Sequence, residues 1–146
     1  MSLKHAAWIH GTSVQFENQS WAARALRQGF FTTVTPSDDD HGGWVHFAIP
    51  TPVIVNNERL KAQAVMIRFT TGSKASIGAV HVWDGETMIY GRSGVSYKGD
   101  GREFVREVIP HQPEVKWGTN ISMHLNFIGR SPDSWIELIG AGIEFC

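Results

Sequence analysis

At 146 residues, with 42% hydrophobic and 18% charged side chains, the chain has the size and apolar content of one packed domain, 1–146. A formal net charge of −1 excludes the basic footprint that nucleic acid or an acidic membrane surface demands, so neither is an expected partner. The only cysteine, Cys146, excludes an intrachain disulfide and a thiol-rich zinc site.

That cysteine usage fits a reducing compartment. Met1 to Trp8 holds no apolar run of signal-peptide length, and nowhere do about 18 apolar residues follow one another. The expected setting is cytoplasmic and soluble, with secretion after signal removal as the alternative.

Ala6 to Phe16 alternates Trp8, His10, Thr12, Val14 and Phe16 against Ile9, Gly11, Ser13 and Gln15, which predicts one strand bulged at Gly11. From Asn18 to Gly29 the chain has helix chemistry, with Ser20 as N-cap and Gly29 as stop. At most two turns are expected there, with absorption into a strand running to Phe30 as the alternative. Phe and Thr between Gly29 and Pro36 suit a strand, followed by the loop Ser37 to Gly43. Trp44 to Ile49 then alternates Trp44, His46 and Ala48 against Val45, Phe47 and Ile49 before Pro50 and Pro52 end the ladder.

Val53 to Val55 is a short β-branched run closed by the turn residues Asn56 and Asn57. Leu60 to Thr71 sets Val65, Ile67 and Phe69 against Ala64, Met66 and Arg68. Ile77 to Trp83 is expected to place Ile77, Ala79, His81 and Trp83 on one side and Val80 and Val82 on the other. Asp84-Gly85 makes a hairpin to Thr87-Met88-Ile89-Tyr90. Gly91 to Gly101, with four glycines, reads as an irregular connection, and Arg102 to Ile109 as a half-exposed edge strand. Ile121, Met123, Leu125 and Phe127 face the core, opposite Ser122, His124 and Asn126. Trp135 to Cys146 closes the chain with Ile139, Ala141, Ile143 and Phe145 on one face, while Gly140 and Gly142 leave the other open to a ring or another backbone.

About eight to ten short strands with turn chemistry between them, and at most one short helix, predict an all-β antiparallel sandwich or jelly roll; a closed β-barrel is the alternative. Ala7-Trp8-Ile9-His10-Gly11 and His46 to Ile54 are similar to segments of an uncharacterised family of small bacterial all-β proteins. The resemblance implies the fold and brings no activity with it.

Three strands carry tryptophan and histidine two residues apart, hence on one face: Trp8 with His10, Trp44 with His46, and His81 with Trp83. His124 stands on a fourth, also opposite the core residues. Gathered on one sheet, they make an indole-floored patch with imidazole, hydroxyl and amide groups, suited to stacking on a sugar or another ring. The plain alternative is that each ring is half-buried and satisfied locally.

Two metal sites enter as lesser expectations: a transition metal on His10, His46, His81 and His124, and calcium on Asp38, Asp39 and Asp40. No nucleophile elbow or phosphate loop occurs. The leading expectation is a non-enzymatic module binding a small carbohydrate or aromatic ligand through Trp44, His46, His81 and Trp83, then His124, Trp8 and His10. The alternatives are a small metal-dependent or acid/base enzyme with histidines in a barrel mouth, and a homo-oligomeric assembly protein.

Overall fold

The computed structural model describes residues 5–38 and 42–146. Ten strands of five residues or more carry the architecture: β1 (His5–His10), β3 (Ala22–Arg27), β4 (Thr32–Pro36), β5 (Gly43–Ile49), β8 (Ala62–Thr71), β9 (Ala75–Asp84), β10 (Thr87–Tyr97), β11 (Glu103–Val108), β12 (Thr119–Phe127) and β13 (Ile136–Phe145). Three two-residue strands complete it: β2 (Gln15–Phe16), β6 (Ile54–Val55) and β7 (Glu58–Arg59). One sheet runs β11-β8-β13-β4-β3, with β1 sharing the free flank of β13; the other runs β10-β9-β12-β5-β2. Every pairing between these strands is antiparallel and neither sheet closes on itself, so the architecture is a sandwich and not a barrel.

The core between the sheets follows the period-two patterns. Val45, Phe47 and Ile49 of β5 and Ile121, Met123 and Leu125 of β12 meet Val65, Ile67 and Phe69 of β8 and Ala141, Ile143 and Phe145 of β13, all buried. Each of the large side chains contributes roughly 1.5–3 kcal/mol on leaving water. The predicted hairpin and turn form: Gly85 adopts φ +55 between β9 and β10, and Asn56 and Asn57 take φ 53 and 63 between β6 and β7, which pair as a second hairpin.

Five local expectations are corrected or narrowed. Ala6 to Phe16 is not one strand. After His10 a single 3-10 turn, Gly11–Ser13, carries the chain from one sheet to the other, so β1 pairs with β13 while β2 pairs with β5. Gly11 is obligatory there, because a Cβ on it would sit 1.9 Å from the Leu138 carbonyl oxygen. Of the two readings of Asn18 to Gly29 the strand prevails: the helix is reduced to a 3-10 turn, Gln19–Trp21, capped by the Asn18 side chain rather than by Ser20, and pairing with β4 draws Ala22–Arg27 into a strand despite its good helix formers. There is no α-helix among the described residues.

On β9, Gly78 is the extra residue of a bulge opposite β12, which returns Ile77 to the core side with Val80 and Val82 and leaves His81 and Trp83 facing outward. A similar register shift between Leu138 and Gly140 turns Ile139 away from Ala141 and Ile143. Finally, β10 continues to Tyr97 as an edge strand, its glycines absorbed by a register shift after Ser93, where Gly94 takes φ +71. No helix of the described residues is long and apolar enough to cross a membrane.

Candidate functional site

Antiparallel register on the outer face of the β10-β9-β12-β5-β2 sheet places side chains in three cross-strand rows. Trp44, His124 and Ala79 form the first; His46, Ser122 and His81 the second; Ala48, Asn120 and Trp83 the third. Trp44 and Trp83 therefore stand at opposite corners, two strands and four residues apart, a backbone separation of roughly 16 Å from strand spacing and rise. Between them runs a groove of about 390 Å³, floored by His46, His81, Asn120 and Ser122 and flanked by Glu17 and Gly85.

The groove's polar groups are wired to one another. His46 Nδ1 lies 2.8 Å from the Ser122 hydroxyl and Nε2 lies 3.1 Å from a Glu17 carboxylate oxygen. The Asn120 amide nitrogen donates to the Ser122 oxygen at 3.2 Å and approaches His46 Nδ1 at 3.3 Å. A consistent arrangement has Asn120 N–H donating to Ser122, the Ser122 O–H donating to His46 Nδ1, and His46 Nε2–H donating to Glu17. Glu17 is held beside β5 by its backbone N–H, which donates to the Trp44 carbonyl at 3.1 Å.

Trp44 packs against two imidazoles, His81 at 4.9 Å between ring centroids and His124 edge-on at 5.1 Å. His124 in turn shares a 2.6 Å hydrogen bond between Nδ1 and the Asn126 side-chain oxygen. His81 Nε2 meets the Ser93 hydroxyl at 3.1 Å, and burial pushes its pKa below the usual histidine value, favouring the neutral ring. Glu17 is the only carboxylate among the groove's lining residues, and no lysine or arginine lines it.

The structure thus brings together Trp44, His46, His81 and Trp83, with His124 behind Trp44. It does not bring Trp8 and His10 to them. Both lie on the opposite sheet, where the Trp8 ring rests on the strip bared by Gly140 and Gly142 and touches Phe104, 6.2 Å between ring centroids. They line a separate depression with Phe30 and Arg68. His10 has a local task, its Nδ1 accepting the Thr12 N–H at 3.1 Å and so capping the crossover turn.

Among the described residues no three His, Cys, Asp or Glu side chains converge into a metal-holding group, so the four strand histidines do not form the expected cluster. The calcium expectation falls largely outside the described residues, which include Asp38 but not Asp39 or Asp40. Beyond the candidates named from the sequence, the groove is lined by Glu17, Gly85, Asn120 and Ser122. Asn120 belongs to the same alternation as Ser122 and His124 and was readable from it. Glu17 was not, since it reaches the groove only because the chain changes sheets at Gly11.

Taken together, the two facing antiparallel sheets define a β-sandwich of the jelly-roll type. Residues 2–146 match the model of a family of unknown function, DUF6623, and the chain belongs to that family. The expectation of an uncharacterised family is met. No curated protein sequence matches the chain.

Several solved structures share the fold. A low-affinity xylan-binding module, CBM86, from Roseburia intestinalis superposes with a TM-score of 0.58 at 10% identity, covering 98% of this chain and 97% of that one. CBM27-1 of Caldicellulosiruptor saccharolyticus, solved in complex with mannohexaose, gives 0.54 at 10% identity over 96% and 97% of the two chains. The Stig cyclase Fisc from Fischerella sp. TAU, solved with an indole compound, gives 0.51 at 12% identity over 94% and 84%. At such identities the likeness establishes the fold.

Proposed function

We propose that the protein is a non-enzymatic binding module whose Trp44–Trp83 groove takes an uncharged carbohydrate. The observation that carries this reading is the diagonal pair of indoles at the two ends of one open groove, with Asn120, Ser122 and the histidines between them. Indole faces stack on the apolar faces of sugar rings, while amide and imidazole groups bond the ring hydroxyls. A single carboxylate among the lining residues disfavours acidic sugars. Support by analogy comes from the shared fold, on which one neighbour binds xylan and another was solved with mannohexaose.

Calorimetric titration with neutral oligosaccharides of xylose, mannose and glucose tests the proposal. Trp44→Ala and Trp83→Ala should each lower affinity by roughly tenfold or more, the worth of one lost stacking contact, while circular dichroism and melting stay close to those of the parent. Binding that survives both changes would sink the reading, and a collapsed fold would assign the rings to the core.

One observation favours a second reading, a hydrolytic enzyme. Ser122, His46 and Glu17 form a nucleophile, base and orienting carboxylate in hydrogen-bonding sequence, and the fold also carries a cyclase. Release of p-nitrophenol from its acetate ester, abolished by Ser122→Ala, would promote that reading; a rate equal to that of buffer would dismiss it.

A further inference from the structure

Trp117 is 76% exposed, the most exposed of the large hydrophobic side chains among the described residues. An indole so placed is ordinarily free to move, but the loop that bears this one is pinned at many points. The buried Asp84 carboxylate accepts three consecutive backbone N–H groups, from Lys116 at 2.9 Å, Trp117 at 2.9 Å and Gly118 at 3.1 Å. Before the loop, the Val115 N–H donates to the Leu60 carbonyl at 2.9 Å and the Val115 carbonyl accepts from the Arg59 guanidinium at 3.0 Å; after it, the Thr119 N–H donates to the Thr51 hydroxyl at 3.0 Å. Gly118 takes φ +144, a conformation that favours glycine, and its carbonyl accepts the Gly85 N–H at 2.9 Å.

The last bond ties the loop to the groove itself. Gly85 lines the groove beside Trp83, and a Cβ built on Gly85 would lie 2.9 Å from Trp117 Cδ1. The exposed indole therefore abuts the groove's Trp83 end. Apolar surface held rigid in water, against a cleft already floored by rings, costs free energy that a stacked ligand would recover, and its fixed loop lowers the entropy lost on binding.

We infer that Trp117 is a third stacking platform, one that extends the groove past Trp83 and makes the protein selective for long neutral oligosaccharides over short ones. The inference rests on the carbohydrate reading of the groove. A disaccharide fits within the Trp44–Trp83 groove and does not engage Trp117; a hexasaccharide runs off its end and covers it.

The deciding experiment compares disaccharides with hexasaccharides of xylose, mannose and glucose on wild type, Trp117→Ala and Trp117→Phe, by calorimetry and by tryptophan emission. Because the side chain is so exposed, its truncation leaves the core untouched. Support is a roughly tenfold loss of hexasaccharide affinity in Trp117→Ala with disaccharide affinity kept within about twofold, substantial recovery in Trp117→Phe, and an emission blue shift larger with hexasaccharide than with disaccharide in wild type, the excess missing from Trp117→Ala. Equal affinities of wild type for both lengths, or equal effects of Trp117→Ala on both, would overturn the inference while leaving the groove's function standing. A wild type that binds neither length would overturn the carbohydrate reading and this inference with it.

Discussion

His46 and Ser122 are cross-strand partners on β5 and β12, and the 2.8 Å contact between the imidazole Nδ1 and the serine hydroxyl joins the centre of the groove. Ser122 is 2% exposed, so the hydroxyl does its bonding inside the protein. Its removal by Ser122→Ala leaves the Asn120 amide nitrogen and His46 Nδ1 facing each other 3.3 Å apart without the oxygen that mediates between them. Stability should fall by about 1–2 kcal/mol in urea unfolding, the usual cost of a buried hydrogen bond stripped of one partner. Ser122→Thr, which keeps the hydroxyl, should recover part of it.

His81 predicts a pH dependence. Burial holds its pKa below the ordinary 6.5, so in the unfolded chain the ring takes up a proton at a higher pH than it does when folded. The native state then binds fewer protons, and the contribution of His81 is present above about pH 6.5 and lost as pH falls toward the lowered folded value. The ring contacts Trp44 and the Ser93 hydroxyl, both uncharged, while the groove's one carboxylate, Glu17, is bonded to His46. Denaturation midpoints of the wild type should decline on acidification below about pH 6.5, and His81→Gln should flatten that decline. An unchanged slope in the variant would remove His81 from the account.

The sequence made the strands and the groove's principal residues legible because period-two alternation is a local property. Trp44 with His46, and His81 with Trp83, lie outward for the same reason that Val45, Phe47, Val80 and Val82 lie inward. What the sequence could not carry were decisions made by distant partners. Alternation runs unbroken through Gly11, yet the chain changes sheets there because the Leu138 carbonyl occupies the space of a side chain, and Trp8 and His10 depart with β1. The bulge at Gly78 likewise has a distant neighbour, the Asn126 amide lying 2.1 Å from where a Cβ would be. Helix formers in Ala22–Arg27 lost to pairing with β4. Gly140 and Gly142, by contrast, announced a close approach, and the Trp8 ring makes it.

Glu107 supplies a stability prediction. It lies 7% exposed on β11, the edge of one sheet, and accepts hydrogen bonds from Tyr97 and, at 2.6 Å, from Tyr90, both on β10, the edge of the other. Arg92 stands 3.7 Å away. The carboxylate thus fastens the two sheets along one margin, and burial together with the bond to Glu107 raises the Tyr90 pKa. Glu107→Ala leaves two half-buried phenolic hydroxyls without their acceptor, while the 56% exposed Arg92 guanidinium turns to water, and should lower unfolding free energy by about 1–3 kcal/mol. Spectrophotometric titration should show a tyrosine ionising at lower pH in the variant than in the wild type, in which Tyr90 is held above the ordinary value.

Trp8 separates the two faces of the molecule. Its ring is packed on the backbone of β13, a Cβ on Gly142 lying 2.8 Å from Trp8 Cδ2 and 2.7 Å from the Ala7 carbonyl oxygen. Gly142→Ala has nowhere to put its methyl group except into that ring or the β1 backbone, so β1 must shift, at a cost of roughly 1–3 kcal/mol. Trp8→Ala, removing a ring that is 43% exposed, should cost less, about 1–2 kcal/mol. Neither change reaches the groove, which lies on the other sheet. Oligosaccharide affinity of both variants should therefore stay within about twofold of wild type at temperatures where they remain folded, even as their melting points fall. A tenfold loss of binding in Trp8→Ala with the fold intact would place the ligand on the wrong sheet and bring the depression beside Phe30 and Arg68 forward in its place.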